Sequence, residues 1–289
     1  MVATRRINRA ELIVAERPVY AARRSLSCAA DQSNANGVFY RAALEGLSEE
    51  ARMAILQLHN AYPRASVDYV PGILNTNCLE IQVVEKQDPA ESYVGCFPTL
   101  SRVNHDCTPS AHYFFDFGRF EGQLRAMRNI EEGEEITMTY TDVCLPFVER
   151  QNFLARTRYF TCRCRACCLT GQEKEASEAR RAAIADITNR LDTVRFPEEV
   201  PYERLQAVLD GAREEGLVHQ YAQVLMLGSQ VLTIYGDLRI AIDWAQRAKQ
   251  LFVMIEGESS PNVKTLTEAE RVHRAMVNAP RSMRLPRLS

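Results

Sequence analysis

The sequence predicts an α+β protein. It reads as a β-rich N-terminal part with a helical insert, a cysteine-dense segment, and then an all-α C-terminal part. Three observations predict this. Strand-like runs such as AHYFFDF, GQLRAMRNI and EEITMTY fall before residue 142. Four cysteines fall between Cys162 and Cys168. After Gly171 no strand pattern remains, and apolar spacing turns helical. The expected boundaries are 1–142 for the β-rich domain, with a helical insert at about 38–82, 143–172 for the cysteine segment, 173–278 for the helical domain and 279–289 for a loose tail.

The elements follow in order. Residues 1–20 read as two short strands, VATRRI and ELIVAERPV, with Pro18 ending or bending the second. Residues 21–36 are small and polar and read as a loop. Residues 38–62 look helical: Ser48 before Glu49-Glu50 is a capping signal, and Met53, Ile55, Leu56 and Leu58 follow at helical spacing, up to Pro63. Pro71-Gly72 punctuates the chain ahead of ILNTNCLEIQ, and residues 85–93 read as an exposed loop. Gly118-Arg119-Phe120-Glu121 is a hairpin signal between the first two strand runs, and Glu131-Glu132-Gly133-Glu134 is the turn into the third. The segment FVERQNFLARTR reads as a helix leading to the cysteines. Further helices are expected at 173–193, 202–215, 218–235, 238–255 and 265–277, separated by Gly216, Gly236, Gly257 and Pro261. Ala241, Ala245 and Ala248 share one helix face, where small side chains let a second helix approach. This resembles the second half of a tetratricopeptide helix pair, and an ordinary helical bundle fits the same pattern.

Composition narrows the function classes. Hydrophobic residues are 46% and charged residues 25%, the balance of a globular chain rather than a disordered or collagen-like one. A net charge of −2 provides no global basic field for nucleic acid, so no direct nucleic-acid binding is expected. Val224 to Tyr235 is interrupted by Gly228, Ser229 and Gln230 and is too short to span a bilayer. Arg5, Arg6 and Arg9 are not followed by the apolar core of a signal peptide, so a cytoplasmic or nuclear location is expected.

The cysteines total 9, an odd number without a secretory signal, which argues against a disulfide framework. Cys162-Arg-Cys164-Arg-Ala-Cys167 offers three thiols in a tight turn. Zinc takes four ligands at tetrahedral angles, so a fourth must come from elsewhere. Cys168 is adjacent to Cys167 and poorly placed for the same ion, which makes Cys107 in NHDCTP the better candidate. Free thiols on a loop are the plainer alternative. A zinc ribbon would want a second C-x-x-C, and a zinc deaminase would want His-x-Glu before Pro-Cys-x-x-Cys.

The order SRVNHDCTPSA, two strands, GEEITMTYTD, then RYFTCRCRACC resembles the C-terminal half of a SET domain, the lysine methyltransferase fold. The resemblance is closest to the SET-and-MYND branch and its fungal relatives. There a phrase like NHSCxPN precedes GEEIxxxY and FxCxCxxC. ATRRINRAELIVAERPV, the 38–62 stretch and ILNTNCLEIQ fit the preceding parts, so the resemblance covers residues 2–168. It implies an S-adenosylmethionine-dependent protein-lysine N-methyltransferase, acting on a lysine-bearing protein or peptide. Asn104, His105 and Asn77 would lie at the cofactor. Tyr140 would stand beside the methyl-transfer centre as the catalytic residue and a cofactor contact. Phe160 would pack on the adenine side. Cys107, Cys162, Cys164 and Cys167 would hold one structural zinc.

The sequence also departs from the pattern. Family members carry a Gly-x-Gly turn just before the segment matched by VATRRI, whereas this sequence starts at Met1-Val2. Asp106 stands where serine is usual, Ser110 where a second asparagine is usual, and Arg158 where some relatives have a channel aromatic. No MYND finger is present in the sequence. These departures motivate an alternative: a non-catalytic SET-like interaction module with an impaired cofactor site, binding a partner protein through its C-terminal helices. A zinc-dependent nucleic-acid module, with Arg156, Arg158, Arg163 and Arg165 as contacts, is a third and weaker reading than solvated charges around a zinc loop.

Overall fold

The computed structural model describes residues 1–24, 42–62, 69–81, 92–192, 200–235 and 237–278. The expectations for most of 25–41, for Cys28 and Pro63, for most of 85–93, for Gly236 and for the tail 279–289 lie outside the described residues.

Two compact units emerge. The first comprises Met1–Asp106, Ser110–Thr141 and Gln151–Cys162. It holds the strands β1 (Leu12–Glu16), β2 (Tyr20–Arg23), β3 (Leu79–Ile81), β4 (Tyr93–Cys96), β5 (Asn104–His105), β6 (Ala111–Asp116), β7 (Glu121–Ala126) and β8 (Thr137–Met138). They form three small sheets in the orders β1-β7-β6, β2-β4-β3 and β5-β8. The first two sheets are antiparallel, and β5 pairs with β8 in parallel, Asn104 opposite Thr137 and His105 opposite Met138. The β6–β7 hairpin closes at Asp116 and Glu121. Its left-handed residue is Phe120, at φ 54°, and not Gly118. The ring of Phe120 meets Phe115 edge-on at 5.4 Å, a contact that offsets the strain of a bulky residue there.

Several runs expected to be strands are shorter. VATRRI makes only isolated bridges, Val2 to Glu135 and Ile7 to Ile130. EEITMTY is a strand only at Thr137–Met138. Pro18 lies between β1 and β2, as its missing N–H requires. Helix α1 (Glu49–Leu56) is capped by the Ser48 hydroxyl, which accepts from the Ala51 N–H at 3.2 Å. Pro71-Gly72 does not break the chain: both lie inside helix α2 (Tyr69–Asn77). Pro71 falls in the first turn, where no backbone donor is needed. A Cβ at Gly72 would come within 2.6 Å of the Asn60 amide, so packing demands glycine there.

Two apolar cores support this unit. One gathers Phe97, Leu100, Val103, Phe115, Leu124, Ile130, Ile136 and Met138. The other packs Ile55 of α1 against Ile73 and Leu74 of α2 and Val94 and Cys96 of β4. Each wholly buried aliphatic side chain contributes about 1.5–3 kcal/mol.

The second unit comprises Cys107–Pro109, Asp142–Arg150 and Arg163–Ser289. Helix α3 (Phe147–Thr157) begins in it. Its helices are α4 (Gly171–Asp192), α5 (Tyr202–Glu214), α6 (Val218–Tyr235), α7 (Leu238–Glu256) and α8 (Pro261–Asn278). Neighbours in sequence pack together: α4 on α5, α5 on α6, α6 on α7, and α7 on α8. Ala241, Ala245 and Ala248 are wholly buried on α7, as their spacing predicts. The closest approach is made by Gly228 of α6, where a Cβ would stand 2.6 Å from Trp244 Cζ3. No helix among the described residues is long and apolar enough to cross a membrane.

Candidate active site and thiol cluster

The parallel β5–β8 pair builds the candidate active site. It carries Asn104-His105 alongside Thr137-Met138, and the chain leaving β8 delivers Tyr140 to His105. The ladder continues as the Asp106 N–H donates to the Met138 carbonyl at 3.0 Å. Ser110 is fully buried and reinforces β8. Its N–H donates to Thr137 Oγ1 at 3.1 Å, and its hydroxyl accepts from the Thr137 N–H at 2.9 Å.

Tyr140 is fixed at both ends. Its N–H donates to His105 Nδ1 at 3.0 Å, and its hydroxyl donates to the Val103 carbonyl at 2.5 Å. The first bond makes Nδ1 an acceptor, so a neutral His105 carries its proton on Nε2. Burial pushes the Tyr140 phenol up, with Arg158 pulling down and Glu135 pushing up less strongly. The phenol is therefore neutral at ordinary pH and acts as a donor. The rings of His105, Tyr140 and Phe160 form one aromatic group, with centroids 5.5 Å, 6.1 Å and 6.5 Å apart. Asn104 is exposed, and its amide donates to Glu135 Oε1 at 2.7 Å.

Arg158 covers the Tyr140 ring, its Cζ 5.3 Å from the centroid. Its Nη1 donates to the Asn75 and Thr76 carbonyls at 3.1 and 2.8 Å, and thereby ties the C-terminal turn of α2 to the site. Asn77 is buried at the end of α2. Its amide nitrogen donates to the His59 and Ile73 carbonyls at 2.6 and 2.7 Å, and its carbonyl accepts from the Ser101 hydroxyl. Three buried polar atoms, on Arg158 over the Tyr140 ring, on Thr141 next to it in sequence and on Asn75, whose backbone Arg158 binds, have no hydrogen-bond partner among the described residues: Arg158 Nε, Thr141 Oγ1 and Asn75 Oδ1. Buried polar atoms without partners are uncommon. A bound ligand could supply the partners these atoms lack. Sequence reasoning missed Asn75 and Thr141, because polar residues beside a motif look like any others.

The four expected thiols also come together. The Sγ atoms of Cys107, Cys162, Cys164 and Cys167 all lie within 4.8 Å of one another. Cys162 to Cys167 is one local turn, in which the Cys167 and Cys168 N–H groups donate to the Cys164 carbonyl, both at 3.0 Å. Cys107 joins it with its Sγ 3.6 Å from that of Cys167. Tetrahedral zinc–thiolate bonding places sulfurs roughly 3.8 Å apart, so this donor set fits the ion. Cys168 is exposed and spends its thiol on the Arg163 carbonyl.

Consecutive residues of α3 support the cluster. Gln151 clamps the Cys162 backbone, donating to its carbonyl and accepting from its N–H, both at 3.0 Å. Arg150 is wholly buried; it donates to Glu178 Oε1 at 2.8 Å and also to the Leu145 carbonyl. Arg181 of α4 is 1% exposed and donates to the carbonyls of Cys107 and Val143 at 3.0 and 2.8 Å. None of these three carried a signal in the sequence, since Arg and Gln inside a helix read as a solvated face.

Comparison with known proteins agrees with this architecture. The SET domain family matches residues 1–141. The mouse protein named histone-lysine N-methyltransferase Smyd1 is 30% identical over 171 residues, 55% of this chain and 34% of its own length. The fission yeast protein named histone-lysine N-methyltransferase set5 is 27% identical over 223 residues, 75% of this chain and 66% of its own length. A Drosophila melanogaster SET domain-containing protein, SmydA-8, is 38% identical over 99 residues, 34% of this chain and 21% of its own length. The chain thus spans about a third of the length of the SMYD relative and two thirds of set5. Residues 1–141 thus match the SET domain family, and the chain is similar to proteins of its SMYD branch and to fungal set5.

Proposed function

We propose that the chain is an S-adenosylmethionine-dependent protein-lysine N-methyltransferase. The observation that carries this reading is Tyr140. Its phenol is neutral, fixed on Val103 and His105, and ringed by aromatic side chains beside orphaned polar atoms. The cofactor, when bound, supplies a methyl group already activated on a sulfonium. The protein's work is alignment and exclusion of water.

In this reading the Tyr140 oxygen and nearby carbonyls orient the methyl through weak C–H···O contacts. Asn104, His105 and Phe160 line the cofactor's pocket. Asn75 and Arg158 suit the amino-acid end of the cofactor, the first as acceptor and the second as donor. Asn77, its amide spent on backbone, holds the end of α2 in place for Asn75. The apolar walls favour the neutral form of the incoming lysine, which is the nucleophilic one. Cys107, Cys162, Cys164 and Cys167 hold a structural zinc that orders the turn following Phe160.

Calorimetric titration with S-adenosylmethionine, together with a methylation assay on lysine-bearing proteins and peptides, tests this. The expected result is cofactor binding and methyl transfer. Tyr140→Phe should lower turnover about 10²-fold, the scale of a lost alignment, with cofactor affinity little changed. A folded, zinc-loaded chain that binds no cofactor at millimolar ligand would overturn it and favour the SET-like interaction module.

A further inference from the structure

We infer that Arg181 is the positioning residue of the metal centre: it seats Cys107 as the fourth thiol from the packed pair α4 and α5, so that metal uptake and the packing of these helices are coupled. This rests on the reading of the four thiols as a zinc site and goes beyond it.

The connection from β5 to β6 changes sides at the ligand. Asp106 and Ser110 belong to the first unit, whereas Cys107–Pro109 between them belongs to the second. Such a short excursion needs anchors in the unit it joins. Arg181 of α4 is the first anchor. Its Nη1 donates to the Cys107 carbonyl at 3.0 Å and to the Val143 carbonyl at 2.8 Å, and its Nη2 donates to Thr108 Oγ1 at 3.1 Å. Gly216, just past the end of α5, is the second. It stands at φ 70°, where glycine is favoured, and a Cβ there would come within 3.2 Å of Thr108 Cγ2. Held in this way, Cys107 has its Sγ 3.6 Å from that of Cys167.

The guanidinium is fixed by the same end of α5. Glu215 accepts from Arg181 Nε at 3.0 Å and lies 2.9 Å from Nη2. The Arg181 side chain is 1% exposed and that of Glu215 is 6% exposed. A pair so far out of water is costly unless its donors find partners. All three Arg181 nitrogens have one. An ion pair that only joined α4 to α5 would need Glu215 alone. Here the fork reaches past the helices to Cys107, Thr108 and Val143. Groups behind a ligand that orient it commonly set metal affinity. Metal binding to the folded arrangement stabilises that arrangement in return. Parting α4 from α5 would remove the anchor of one ligand.

The test uses the full chain. Zinc affinity is measured by competition with a chromophoric chelator. Cobalt substitution counts bound thiolates through the intensity of their charge-transfer band, with Cys107→Ser as the three-thiolate reference. The fluorescence of Trp244 on α7 follows the melting of the helical unit with and without zinc. In the native chain zinc should raise the melting midpoint. Arg181→Leu should weaken zinc about 10–100-fold, the usual range for an outer-shell partner. It should also lower the cobalt band by about a quarter, toward the Cys107→Ser reference, as four sulfurs become three, and shrink the zinc-induced rise. Arg181→Lys keeps a charge beside Glu215 but loses the fork, and should fall between the two. It decides the matter if the leucine variant does not fold. Arg180→Leu removes another guanidinium from Glu215 and should leave zinc affinity and the cobalt band native. Three outcomes overturn the inference: native zinc affinity and cobalt intensity in both Arg181 variants, an equal loss in Arg180→Leu, or a native Trp244 melt that zinc does not move. If the native chain takes up no zinc, the zinc-site reading itself fails and the inference falls with it.

Discussion

Arg181→Leu is the most informative single change for the support of the cluster. The guanidinium donates to the Cys107 and Val143 carbonyls at 3.0 and 2.8 Å, to Thr108 Oγ1 at 3.1 Å and to Glu215 Oε2 at 3.0 Å. Leucine strands the two buried carbonyls, at about 1–3 kcal/mol each. Glu215 is not stranded, because the Ser177 hydroxyl and Arg180 still donate to it at 2.7 and 2.8 Å. The buried leucine restores about 1.5–3 kcal/mol of apolar burial at most. The net expectation is a loss of about 2 kcal/mol. Urea denaturation of the zinc-loaded chain measures it, with Arg180→Leu as the control. Arg180 shares Glu215 but is 26% exposed and bonds no carbonyl among the described residues, so its loss should stay under about 1 kcal/mol. Equal losses in the two variants would refute the reasoning, since burial and the two carbonyls would then count for nothing. Both losses should also shrink in acid, because both guanidiniums pair with Glu215. Burial pushes the Glu215 carboxyl up, but Ser177, Arg180 and Arg181 outweigh it and hold it below its ordinary 4.5. Its contribution is therefore present above that value and is lost as pH falls through the lower folded one.

Two further outcomes concern the helical unit. Gly228→Ala should destabilise by about 1 kcal/mol, because overpacking against the Trp244 ring costs about 1–3 kcal/mol and alanine's helix propensity returns about 1. Trp244 is the sole tryptophan, so its fluorescence follows the melt directly, and a stabilised variant would contradict the close approach. His273 is buried with Nδ1 unpartnered among the described residues, and Nε2 meets Thr233 Oγ1 at 2.8 Å. Burial pushes its pKa below 6.5 despite Glu270, so stability should be full above that value and fall as pH drops below it. His273→Leu should flatten that limb of a stability–pH curve; an unchanged slope would count against the buried neutral ring.

What was legible in the sequence has a common cause. Ser48, the α7 alanines and the turn at Cys162–Cys167 act within a few residues of chain, where local geometry decides the outcome. Pro71-Gly72 misleads for the same reason in reverse. Read locally it is a break, yet the first turn tolerates Pro71, and Gly72 is needed by Asn60 from a distant segment. The strand runs were overestimated because apolar alternation persists where the chain makes only a bridge, as at Val2 and Ile7. Of the site, His105 and Tyr140 were recognisable by their motifs. Their neighbours Asn75, Thr141 and Arg158 matter through which atoms are left without partners, and no residue type announces that.

By itself the sequence determined the α+β class, the run of C-terminal helices, the resemblance to SET domains and the thiols that gather. These depend on periodicity, capping and the order of motifs, all properties of neighbours along the chain. Only the tertiary structure decided how each polar atom is spent. It turned Asn77 inward onto backbone and left Asn75 open, laid Arg158 on the Tyr140 ring, and drew Arg150 and Arg181 out of water. The physical reason is that burial sets the cost of an unpaired donor or charge. Burial is a property of the folded surroundings, contributed by residues far away in sequence.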